Sequence, residues 1–117
     1  MCSSDLMTRD GWQPVARSED LRDRPLACSV NDTPVVLYRG ADGQAAALLD
    51  RCPHGLGPLS TGYVAGDLLI CAYHGLRMDR RGVCVDDRLN EEAREASRLQ
   101  TFEVDERDGM LWVRSPA

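Results

Sequence analysis

The sequence predicts an all-β domain, a sandwich or barrel of short antiparallel strands. Three observations predict it. Apolar residues alternate or cluster in short runs. Turn dipeptides such as Asp42-Gly43 and Asp108-Gly109 punctuate those runs. A single segment has the composition of a helix.

Along the chain, residues 1–10 read as a disordered polar tail that carries Cys2, and residues 11–117 as one domain. Trp12, Pro14 and Val15 open the first strand. Ser18-Glu19-Asp20-Leu21 reads as one helical turn with Ser18 as its cap. Leu26, Cys28 and Val30 alternate with Ala27 and Ser29, so Cys28 is expected as a small core hydrophobe. Pro34–Arg39 is rich in β-formers, turns at Asp42-Gly43, and returns as Ala45–Leu49. Asp67–Ile70 leads into Cys71. Leu76-Arg77-Met78 and Val83-Cys84-Val85 flank a turn at Arg80-Arg81-Gly82. The alternation around Cys84 leaves open whether it faces core or solvent. Asn90–Leu99 favours helix, with Glu91 and Glu95 one turn apart, and reads as a solvated excursion. Thr101–Glu106 and Met110–Arg114 form the clearest hairpin, around Asp108-Gly109.

The chemistry lies in two short clusters. Cys52-Pro53-His54 and Cys71-Ala72-Tyr73-His74 each end in glycine, at Gly55 and Gly75, and residues 55–70 separate them. Cys-x-His paired with Cys-x-x-His is the ligand set of a Rieske centre, a [2Fe–2S] cluster with cysteines on one iron and histidines on the other. The candidate ligands are therefore Cys52, His54, Cys71 and His74. A Cys2His2 zinc module is the alternative. Zinc fingers, however, pair cysteine with cysteine and histidine with histidine, whereas each cluster here is mixed.

Composition narrows the function. At 117 residues, 43 % hydrophobic and with six aromatics, the chain supports one modest core that relies on aliphatic packing. A net charge of −5 argues against nucleic acid or an anionic membrane as partner, and suits docking to a basic patch on a redox partner. The charged first thirty residues hold no apolar signal segment, and no run approaches the length of a membrane helix. Five cysteines, an odd number with two assigned to the cluster, disfavour a disulfide scaffold and point to a reducing cytoplasm. The only two histidines, His54 and His74, both lie in the clusters. A non-haem oxygenase iron needs two histidines and a carboxylate of its own, so the chain is expected to carry electrons and not to be catalytic alone.

At these residues the chain resembles the Rieske family, and especially the amino-terminal Rieske domain of Rieske non-haem iron oxygenases and the Rieske-type ferredoxins. Asp50-Arg51-Cys52-Pro53-His54, Gly57-Pro58-Leu59-Ser60, Gly62, Val64 and Gly66-Asp67 run in the family's order. Cys71, Tyr73-His74-Gly75, Arg77, Asp79, Gly82 and Cys84-Val85 continue it. Trp12–Ala16 and Glu106–Val113 fit the domain's ends, so the resemblance covers residues 11–114. It implies a Rieske fold, an antiparallel β-sandwich base with an inserted cluster-binding subdomain of two loops at about residues 50–80. It implies that Cys52 and Cys71 hold the inner iron, and His54 and His74 the outer iron. It implies no disulfide across the loops, because Gly57 and Tyr73 stand where respiratory Rieske proteins carry cysteine. The chain departs from common oxygenase patterns at Gly55, Ala72 and Leu76.

The resemblance implies a one-electron carrier, a ferredoxin-like component of a non-haem iron oxygenase or related system. Its partners would be a flavin reductase as donor and a terminal oxygenase or other protein as acceptor. The alternatives are a detached amino-terminal Rieske domain or subunit of an oxygenase, and the small subunit of a nitrite-reductase-like enzyme. Leu76, following Gly75, offers no hydroxyl to the cluster, which predicts a midpoint nearer about −150 mV than +300 mV.

Overall fold

A computed structural model describes residues 11–52, 57–72, 75–86 and 88–115. The expected polar tail, with Cys2, lies outside these residues. So do Pro53, His54, Gly55, Leu56, Tyr73 and His74.

Among the described residues, nine strands form two antiparallel sheets. The larger has the order β1 (Gln13–Arg17), β9 (Met110–Arg114), β8 (Thr101–Arg107), β4 (Ala45–Leu49), β3 (Thr33–Arg39), β2 (Leu26–Val30). It curls until its edge strands β1 and β2 touch, giving the near-barrel form of an all-β domain. The smaller sheet is β5 (Tyr63–Ala65), β6 (Leu68–Ile70) and β7 (Arg77–Met78), inserted between β4 and β8.

The run Val35-Val36-Leu37-Tyr38 does not alternate in polarity because β3 is buried on both faces. Val35 and Leu37 point into the curl of the large sheet. There they pack with Leu21, Val30, Ala47, Phe102, Leu111 and Val113. Val36 and Tyr38 face the other way, toward Leu48, Leu59, Leu69 and Met78. β3 therefore separates two cores, one inside the base and one beneath the small sheet. Cys28 lies partly buried against the first, as its alternation predicts, and Cys84 is buried in the second.

Type I′-like turns close two hairpins. Asn31 and Asp32 have φ of 51° and 67° between β2 and β3, and Asp108 and Gly109 have 54° and 76° between β8 and β9. Val104 pairs with Val113 and Ala47 with Phe102, so the terminal hairpin extends the sheet beside β4.

Two local readings are corrected and one strand is added. Ser18–Asp20 is a 3-10 turn capped by Arg17 with no side-chain cap bond, so Ser18 is inside the turn and not its cap. Val83–Val85 forms no strand; a single bridge joins Met78 to Cys84. Tyr63–Ala65 is a strand that its short span concealed. The helical excursion is α1 (Glu91–Ala96), capped by Asn90, whose side chain accepts the Ala93 N–H at 2.8 Å.

Polar groups couple the sheets. The Tyr38 hydroxyl donates to the Asp67 carbonyl at 3.0 Å, from β3 to the turn of the β5–β6 hairpin. Burial is the main cause that pushes this phenol up to about 12. Arg80, beyond β7, lies 3.0 Å from Asp42 and 3.8 Å from Asp67. Within the base, Arg39 binds Glu106 with two bonds of 2.8 Å and also donates to the carbonyls of Ser18, Leu21 and Gly43. One guanidinium thus joins four chain segments.

Candidate metal centre

Two loops face each other at the end of the small sheet, and both are built the same way. The first leaves β4. The Asp50 N–H donates to the Pro34 carbonyl at 3.0 Å, and the largely buried Asp50 carboxylate accepts both the Ser60 N–H at 2.7 Å and the Ser60 hydroxyl at 2.6 Å. These bonds fix both ends of the loop. Within it, the Cys52 N–H donates to the Gly57 carbonyl at 2.9 Å. The second loop is the tip of the β6–β7 hairpin. There the Cys71 N–H donates to the Leu76 carbonyl, and the Gly75 N–H to the Cys71 carbonyl, both at 2.9 Å. In each loop a cysteine N–H thus reaches the carbonyl five residues on, closing the segment that contains the histidine of that cluster.

Two glycines make this geometry possible. Gly75 has φ of +67°, which strains any residue with a Cβ. At Gly62 a Cβ would overlap the Ile70 carbonyl oxygen. Its absence lets the 3-10 turn Leu59–Thr61, which follows the first loop, press onto the strand that delivers Cys71.

The loops bring Cys52 and Cys71 together. Their Sγ atoms lie 3.1 Å apart, with the Cys71 thiol donating, and the residues are 0 % and 1 % exposed. Neither is in a disulfide, which would hold the sulfurs at about 2.05 Å. Leu59, Leu76, Met78 and Cys84 share the same apolar cluster. Two buried, unbridged thiols converging from opposite loops are a donor set for one metal ion, and they fit the cysteine half of a [2Fe–2S] site. His54 and His74 lie outside the described residues. Cys28 belongs to the other core, across β3. Burial, followed by the nearby Asp50 charge, pushes its thiol up to about 11.

The motif reading missed a group beside the second loop. Asp86 is 1 % exposed. Its carboxylate accepts the Arg88 Nε at 2.8 Å, Nη2 at 2.6 Å and backbone N–H at 3.0 Å. Arg77 Nε lies 3.9 Å away. The Arg88 hydrogen bonds are the main cause that holds this carboxyl far below the usual carboxylate range. Only the spacing of Asp86 and Arg88, two residues apart, could have signalled a side chain folded onto its own backbone.

Known proteins are similar to this chain. A sequence model of the Rieske [2Fe-2S] domain matches residues 11–105. The oxygenase component of dicamba O-demethylase from Stenotrophomonas maltophilia is 44 % identical over 106 residues, covering 90 % of this chain and 31 % of that protein. The vanillate O-demethylase oxygenase subunit from a Pseudomonas strain is 34 % identical over 114 residues, covering 92 % of this chain and 30 % of that subunit. Among solved structures, apo dicamba monooxygenase superposes with a TM-score of 0.84 at 40 % identity, over 95 % of this chain and 35 % of that one. The chain thus spans about a third of the length of these relatives.

Proposed function

Because the chain belongs to the Rieske [2Fe–2S] domain family, we propose that it relays single electrons within a non-haem iron oxygenase system, with Cys52, His54, Cys71 and His74 holding its cluster. When bound, the cluster supplies reversible one-electron redox chemistry. The remaining work falls to the polypeptide. Leu59, Leu76 and Met78 exclude water from the thiol side. The backbone bonds of Cys52 and Cys71 and the Asp50–Ser60 clamp fix the loops, so that little has to move when an electron arrives or leaves.

The observation that carries this reading is the pair of buried thiols, 3.1 Å apart and not joined in a disulfide, brought together from two loops. The proposed donor is a flavin reductase, and the proposed acceptor is the iron of a terminal oxygenase. The other oxygenase components among the relatives, including an iron-sulfur subunit of a toluene-4-sulfonate monooxygenase system, support a place in such an assembly. The unbridged cysteines among the described residues agree with a reducing cytoplasm. No helix among the described residues is long and apolar enough to cross a membrane.

Iron and acid-labile sulfide analysis of purified protein, with electron paramagnetic resonance after dithionite reduction, tests the cluster. A rhombic signal typical of mixed His/Cys ligation is expected, and protein free of iron and sulfide after anaerobic reconstitution refutes the reading. A second reading, a Rieske domain belonging to an oxygenase component itself, is favoured by the chain's spanning about a third of its relatives. Gel filtration with a catalytic component separates the two: a stable complex favours the domain, and exchange favours the carrier.

A further inference from the structure

Asp86 and Arg88 lie outside the ligand motif, yet they adjoin one of its loops. Asp86 is the most deeply buried carboxylate among the described residues. Its bonds to Nε, Nη2 and the backbone N–H of Arg88 hold that side chain in one orientation, although it is 63 % exposed. Held this way, Arg88 Nη2 sits 3.8 Å from the point that a Cβ on Gly75 would occupy. Among the described residues beyond Gly75's own chain neighbours, no other atom comes within 4 Å of that point. The guanidinium, and not its carboxylate partner, therefore faces the residue that follows His74. The base beneath is firm. The Val85 N–H donates to the Arg77 carbonyl at 2.9 Å, Met78 bridges Cys84, and the Leu89 N–H donates to the Asp86 carbonyl at 3.2 Å. With Arg77 also beside Asp86, the three side chains carry two positive charges and one negative.

Reduction places one additional negative charge on the cluster, and a fixed cation nearby lowers the free energy of the reduced form. Arginine suits this role because it does not lose its proton in proteins. We propose that Arg88, held by Asp86 against the second ligand loop, raises the reduction potential of the cluster. This rests on the assignment of Cys52, His54, Cys71 and His74 as ligands.

The test is a redox titration of the reconstituted full chain, comparing wild type, Arg88→Gln, Arg88→Lys and Arg17→Gln. Arg17 is an exposed residue of the base sheet and controls for loss of charge alone. The R88Q midpoint is expected to shift negative, R88K to stay near wild type, and R17Q to move less than R88Q. An R88Q midpoint equal to that of wild type or R17Q overturns the proposal while leaving the ligand assignment intact. Wild-type protein that forms no cluster refutes the ligand assignment instead. If R88Q forms no cluster, Arg88→Met is titrated in its place: a negative shift sustains the role of the charge, and a wild-type midpoint overturns it.

Discussion

At the scale of single residues, the cysteines divide by environment. Cys52 and Cys71 meet at 3.1 Å across two loops, Cys28 lies in the core beyond β3, and Cys84 is buried beneath the small sheet. Cys52→Ser and Cys71→Ser are therefore expected to abolish the visible and paramagnetic spectra of the reconstituted protein. Cys28→Ala and Cys84→Ala are expected to retain them. Cys84→Ala also removes a buried sulfur, which should destabilise the fold by about 1 kcal/mol in denaturant unfolding. A spectrum that survives Cys52→Ser or vanishes in Cys28→Ala would reassign the ligands. The four proposed ligands were legible because their order alone excludes most alternatives. Asp86 and Arg88 were not, because a charged residue in sequence gives no sign of burial.

At the scale of elements, one polar joint ties the two sheets together and another braces the base. Tyr38 ties β3 to the β5–β6 turn through the Asp67 carbonyl. Tyr38→Phe keeps the ring packed but leaves that carbonyl without the bond. It is expected to cost about 1 kcal/mol, read as a lower denaturation midpoint with an unchanged denaturant slope. The second joint is Arg39 with Glu106. The hydrogen bonds from Arg39 are the main cause that brings the Glu106 carboxyl from its ordinary 4.5 down to about 2. A carboxyl with a lower pKa in the folded state stabilises the fold above its unfolded value, and that contribution fades as pH falls through the folded one. Glu106→Gln should therefore melt at a lower temperature than wild type at neutral pH, with the gap closing between about pH 4.5 and 2. A gap independent of pH would show that the ionised pair contributes nothing. The hairpins at Asp42-Gly43 and Asp108-Gly109 were legible from turn chemistry. β5 was not, because three residues carry too little periodicity, and Val83–Val85 looked like a strand although only Cys84 pairs.

At the scale of the whole molecule, the cluster potential combines ligand type, hydrogen bonding and burial. Leu76 is 2 % exposed, shares the apolar cluster of both thiols and has no hydroxyl to donate. The midpoint is expected nearer about −150 mV than +300 mV, and a titration above roughly +100 mV would contradict this. The net charge of −5 predicts that electron exchange with a basic partner slows as salt is added, measured as the transfer rate against ionic strength.

Taken alone, the sequence determined the β class and the hairpins at Asp42-Gly43 and Asp108-Gly109, because turn residues and alternation act over a few neighbours. Only the tertiary structure decided that β3 divides two cores, that Cys52 and Cys71 converge from separate loops, and that Arg88 turns toward Gly75. Those relations join segments far apart in the chain. They depend on how the curled sheet and the inserted one pack, which no local pattern encodes.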